Sequence, residues 1–215
     1  MNSLLLSLFL ALLPGASDQV VKVEPGMWHV YKLTRQEAEQ NMHYLAVVSD
    51  KEDSWTHDGE ALVDTGYSEA ESTVGYDVAE VAKYFTETPP PSGNLDDYHI
   101  HPLQDRKNGD ISTPSIADIR THAKLKKCMA EQGVTTHSYM LDGCGIWEYD
   151  VADEIIDLLS DDSEGTKDAK EYVEDMLNQS RAQINDAPLP LEVKAQTYAD
   201  RVRDLGVIVS YKSME

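Results

Sequence analysis

Hydrophobic and polar positions recur along the chain in patterns that predict most of its elements. Residues 26–33 (GMWHVYKL) mix aromatic and β-branched side chains and predict a first strand. The polar run 34–41 (TRQEAEQN) predicts a short helix, because Thr34 and Glu37 have the spacing of a capping box. Residues 42–49 (MHYLAVVS) predict a further strand, and residues 51–60 (KEDSWTHDGE) a polar turn. The segments EALVDTGYSE and STVGYDV predict two short strands. Val78, Val81, Ala82 and Phe85 fall at helical spacing, and the prolines of TPPPSGN end that helix.

The second half has the stronger signals. A helix is predicted over 113–133, with Thr113 as its cap, Pro114 at the first position, Gly133 at its end and Ile116, Ile119 and Ala123 as a buried stripe. Asp142-Gly143 between THSYML and CGIWEYD predicts a β-hairpin. Helices follow near 151–159, 167–184 and 191–205, with the linker NDAPLP between the last two, and GVIVSY closes as a strand. The sequence has no internal repeat and no low-complexity tract. This order predicts an α+β (α/β layered) domain, one mixed sheet flanked by helices.

Charge narrows the range of partners. The 215 residues hold 18 Lys and Arg against 39 Asp and Glu, a formal net charge of -21. Such a surface repels nucleic acid and anionic membranes. The N-terminal run 4–13 is apolar but too short to span a bilayer. With the small residues that follow, it reads as a signal peptide over 1–17, which predicts a secreted or periplasmic protein with no stable membrane span after its removal. The alternative for the same run is a buried first strand or helix. Cys128 and Cys144 are the only cysteines. They cannot form a four-thiolate zinc site, and in an exported protein they either form a disulfide or stay as two free thiols.

The stretch DDYHIHPLQDRKNGDISTPSIADIRTH, residues 96–122, carries the candidate chemistry. If YHIHP ends a strand, His99 and His101 face one point while Ile100 faces the core. Two converging imidazoles form half a zinc site. Asp118, in the first turn of the next helix, returns as a third ligand, its charge favoured by the helix N-terminus. Three protein ligands leave a fourth position for water, as in catalytic zinc sites. Ser115 lies on a similar helical face and is a candidate oxyanion donor. The bland alternative is a surface strand with ordinary histidines.

HIHP followed by PSIAD resembles the motif of the JAMM (also MPN+) zinc metalloprotease family: His-x-His-Pro, a loop, then Ser-x-x-Asp, with a Glu upstream. The flanks TVGYDVAEVAKYF, DIRTH and MLDGCGIWEYD are similar to the family's surrounding elements, so the likeness covers roughly residues 34–150. The resemblance implies a JAMM/MPN-like mixed sheet over 18–160, followed by a helical extension over 161–215. It implies zinc on His99, His101 and Asp118, Ser115 as a stabiliser of the tetrahedral intermediate, and hydrolysis of peptide or isopeptide bonds. The substrates would be proteins or peptides, ubiquitin-like proteins among them. Two readings compete: a catalytically inactive interaction domain of the same fold, and another His-x-His hydrolase such as a phosphoesterase. The sixteen residues between His101 and Asp118 exceed the family's usual spacing, and the polar excess reads as a looped-out insertion. Asp105 and Asp110 within it are rival ligands. The upstream Glu is assigned to Glu39, with Glu37, Glu60 and Glu69 as alternatives. His122 is a candidate for supporting the ligands from behind. Trp28, Trp55 and Trp147 are expected to pack.

Overall fold

A computed structural model describes residues 18–22, 27–49, 52–70, 73–75, 77–102 and 110–214. The expected signal segment, residues 1–17, and Asp105 lie outside the described residues. The first half contains β1 (Asp18–Lys22), β2 (Met27–Tyr31), α1 (Arg35–Val48), β3 (Asp53–His57), β4 (Leu62–Asp64), β5 (Tyr67–Ala70), β6 (Thr73–Gly75) and α2 (Val78–Glu87). The second half contains β7 (Asn94–Ile100), α3 (Ile116–Ala130), β8 (Thr135–Leu141), β9 (Gly145–Val151), α4 (Asp153–Ser160), α5 (Lys167–Asn185), α6 (Leu191–Val202) and β10 (Val207–Ser213). Among the described residues eight strands form one sheet in the order β1-β2-β4-β3-β7-β8-β9-β10, while β5 and β6 form a separate ribbon. Within the large sheet β7 and β8 run parallel and the other strand pairs among the described residues are antiparallel. The architecture is therefore the mixed sheet with flanking helices that the sequence predicts.

Two expectations fail, each for a physical reason. Residues 42–48 are not a strand but the continuation of α1. Ala38, Met42 and Ala46 recur every four residues and are buried together, so the helical stripe overrides the extended preference of Tyr44, Val47 and Val48, which are exposed. Residues 53–57, expected as a polar turn, are the interior strand β3. Two of its buried polar residues find partners: Thr56 Oγ1 lies 3.1 Å from Thr65 Oγ1, and His57 Nε2 lies 2.8 Å from the Leu33 carbonyl oxygen.

The central strand β7 has two different faces. Tyr98 and Ile100 pack with Trp55, Tyr139 and Leu141 against Ala38, Met42 and Ala46 of α1. Leu95 turns the other way and packs with Val81 and Phe85 of α2 and Leu125 and Met129 of α3. Beside that layer, Trp147, Tyr149, Val207 and Val209 carry the C-terminal helices through Leu177, Ile184, Tyr198 and Val202. Trp28, Trp55 and Trp147 are all core residues, as expected. The β8–β9 hairpin forms where Asp142-Gly143 predicts it: Asp142 Oδ1 accepts from the Cys144 and Gly145 amides, and Gly143 takes φ 76°. Cys128 and Cys144 are both free thiols. Among the described residues no helix is long and apolar enough to cross a membrane.

Candidate metal centre

Backbone pairing aims the two histidines. The parallel ladder between β7 and β8 pairs His99 with Met140 and continues one step past the strand, where the His101 amide donates to the Leu141 carbonyl at 2.8 Å. Both imidazoles thus leave the same face of the sheet, with ring centroids 5.0 Å apart. The third group comes from the start of α3. Ser115, not Thr113, caps this helix: its Oγ accepts from the Asp118 amide at 3.3 Å, and Asp118 Oδ2 accepts from the Ser115 amide at 2.6 Å. That reciprocal box fixes the carboxylate in place. Asp118 Oδ2 lies 3.5 Å from His99 Nε2 and 3.8 Å from His101 Nε2.

One ligand atom from each of His99, His101 and Asp118 lies within 4.8 Å of the others. Around a tetrahedral zinc ion with bonds of about 2.0–2.1 Å, neighbouring ligand atoms stand roughly 3.3–3.5 Å apart, so a small inward movement closes the set. Among the described residues the buried His99 Nε2 makes no close hydrogen bond, its facing group being Asp118 Oδ2 at 3.5 Å, and a cation between the two would satisfy both. The residues present therefore fit a metal ion.

Electrostatics point the same way. Burial disfavours ionisation of Asp118, but the neighbouring His99 and His101, with the Ser115 hydrogen bond, hold its pKa well below the ordinary carboxylate range. Burial, with His99 beside it, pushes His101 down to about 4, so its imidazole is neutral at pH 7 and can offer a lone pair. Burial acts on His99 in the same sense, yet Asp118, Asp97 and Glu52 outweigh it and raise its pKa. The carboxylates around His99 favour a cation, whether proton or metal.

The expected base is not at this point. Glu39 sits on α1, on the opposite side of the sheet, where its Oε1 accepts from Arg35 Nε at 2.9 Å and from the Tyr98 hydroxyl at 3.3 Å. Tyr98 neighbours His99 in sequence and therefore points away from it. Glu37 is an exposed member of the Thr34 capping box, and Glu60 is exposed in the turn beyond the far end of β3. The side chain of Glu69 lies outside those described. Glu52 is the carboxylate that the fold does deliver: its Oε1 is 3.8 Å from His101 Nε2. It immediately precedes β3, on the face shared by Ser54 and Thr56, and Ser54 pairs directly with His99. The signal for Glu52 is its two-residue alternation with Ser54 and Thr56, which a strand over 53–57 turns toward His99.

Behind the ligands stands a buried polar chain. Ser138 Oγ lies 2.6 Å from His122 Nδ1 and donates to Asp97 Oδ2 at 3.4 Å, while His122 Nε2 lies 2.9 Å from Asp150 Oδ1. His122 meets the ring of Tyr149, which also meets the ring of His99. It thus lies one residue removed from the ligands. Asp110 is not among the grouped ligands. No protein-family model, curated protein or solved structure matches this chain.

Proposed function

We propose that this protein is a JAMM-like zinc hydrolase that cleaves a peptide or isopeptide bond in a protein or peptide substrate. The observation that carries the reading is the convergence of His99, His101 and Asp118, with His99 Nε2 buried and otherwise unpartnered and Glu52 alongside. Two imidazoles and one carboxylate suit zinc and leave a coordination position for water, the pattern of catalytic sites. Zinc held there supplies Lewis acidity and makes a water acidic enough to ionise near neutral pH.

In this reading Glu52 accepts the proton as the water oxygen bonds to the carbonyl carbon, and returns it to the amine nitrogen as the C–N bond breaks. Ser115 donates to the developing oxyanion from the start of α3. His99, His101 and Asp118 hold the ion. Elemental analysis tests the centre. The purified protein is expected to hold about one zinc per chain, and His101→Ala to hold almost none, because the two remaining ligands bind weakly. Equal zinc in both proteins would sink the assignment.

A further inference from the structure

The segment that enters α3 is held from two sides. Toward the metal centre, Ser112 Oγ lies 2.9 Å from His101 Nδ1. Away from it, the Ile111 amide donates to Asn185 Oδ1 at 2.8 Å, and Asn185 Nδ2 donates back to the Ile111 carbonyl at 3.4 Å. Asn185 is the last residue of α5, and its own carbonyl accepts from Lys194 Nζ of α6 at 3.0 Å. Lys194 is 5 % exposed, and Ile111, 3 % exposed, belongs to the same core cluster as Ile184 and Tyr198. A side-chain amide that both accepts from and donates to one residue's backbone fixes its position and its plane. Ser112 is the next residue along.

We propose that Ser112 and Asn185 are positioning residues for His101, so that the C-terminal helices α5 and α6 form part of the metal centre. The inference rests on the metal-site reading above. When a cation takes the Nε2 lone pair of His101, the ring's one proton must sit on Nδ1, where it donates to Ser112 Oγ. Ser112 then sets the tautomer and the ring angle, and Asn185 sets Ser112. The hydrogen bond comes from the long connection between His101 and Asp118, so that connection contributes directly to the site.

The test uses the full chain as Ser112→Ala, Ser112→Thr and Asn185→Ala, with circular dichroism confirming that each folds. Zinc affinity is read by competition with a chromophoric chelator. Losing a group that orients a ligand typically costs about 10- to 100-fold in metal affinity. That loss is expected in Ser112→Ala and Asn185→Ala, with recovery in Ser112→Thr, which keeps a hydroxyl. A second readout needs no metal: the mobility of the His101 ring in zinc-free protein, from nuclear relaxation of its C–H groups. The ring is expected to be rigid in the wild type and in Ser112→Thr, and mobile in the two alanine variants. If the folded wild type takes no zinc but ring mobility changes as stated, the metal reading fails while the positioning role stands. A His101 ring equally rigid in all four proteins, or zinc affinity unchanged in both alanine variants, overturns the proposal.

Discussion

The two faces of β7 solve opposite problems with adjacent residues. On the α1 face, Tyr98 and Ile100 are buried among apolar neighbours and their role is to fill space. On the α3 face, Asp97 and His99 are just as buried, but they sit among Ser54, Ser138, His122 and Asp118. Burying polar groups is unfavourable unless partners meet them. Ser138, His122 and one Asp97 oxygen are hydrogen-bonded within the chain, whereas among the described residues the buried Ser54 Oγ and His99 Nε2 make no close hydrogen bond, and His99 Nε2 faces Asp118 Oδ2 at 3.5 Å. The contrast separates residues that stabilise the sheet from residues that a ligand would complete.

Substitutions on the two faces should therefore separate activity from stability. The largest effect is expected from Glu52→Gln. It should lower turnover of any cleaved peptide by about 10²- to 10⁴-fold while zinc content stays the same, because a general base is not a ligand. Glu39→Gln, across the sheet, should keep full turnover and cost about 1 kcal/mol of stability through its bonds to Arg35 and Tyr98. If Glu39→Gln abolishes turnover and Glu52→Gln does not, the assignment of the faces is reversed. Next comes Ile100→Ala, between the two histidines in sequence but on the packing face. It should destabilise the fold by about 2–5 kcal/mol in urea unfolding and leave one zinc per folded chain. Loss of zinc from protein that is still folded would show that the faces are not independent.

The smallest effect concerns Asp53, which pairs with Ile100 on the α1 face. Burial pushes its pKa up to about 6, against an ordinary value of 3.8. The folded state then holds a proton that the unfolded chain releases, so stability is lost as pH rises from about 4 to about 6. Asp53→Asn removes the Asp53 part of that dependence, takes a like charge away from the neighbouring buried Asp64, and can still accept from the Ser54 amide. It should be more stable than the wild type by about 1–2 kcal/mol at pH 7 and about equal to it at pH 4, by urea unfolding at both pH values. A gain of the same size at both pH values would rule out the buried-carboxylate explanation.

What the sequence could reveal depended on where each element finds its partners. Helix α3 and the β8–β9 hairpin announce themselves locally, through the Ile116, Ile119 and Ala123 stripe, Gly133 and Asp142-Gly143, although the cap is Ser115 rather than Thr113 and Pro114 precedes it. His99, His101 and Asp118 come together as the sequence predicts for the same reason, since one strand end and one helix start supply all three. Strand β3 was hidden because its polar residues find partners far off in the chain, Thr56 at Thr65 and His57 at Leu33. Glu52, which precedes this strand, is hidden with it, whereas Glu39 lies on a helix that serves the other face. Residues 42–48 are helical against their extended propensity because the four-residue spacing of Ala38, Met42 and Ala46 buries one helix face. Ser112 and Asn185 are 73 positions apart, and no local pattern links them.

The capping box at Ser115 has a thermodynamic corollary. Asp118 closes the first turn of α3 with the same Oδ2 that faces His99 and His101. Helix start and ligand are then one cooperative unit, since whatever orders the carboxylate also orders the turn. An ion that binds the folded centre in preference to the unfolded chain adds its binding free energy to the fold, about 2.7 kcal/mol at a hundredfold excess over its dissociation constant. That free energy ties the end of the central strand to the first turn of the helix that follows it.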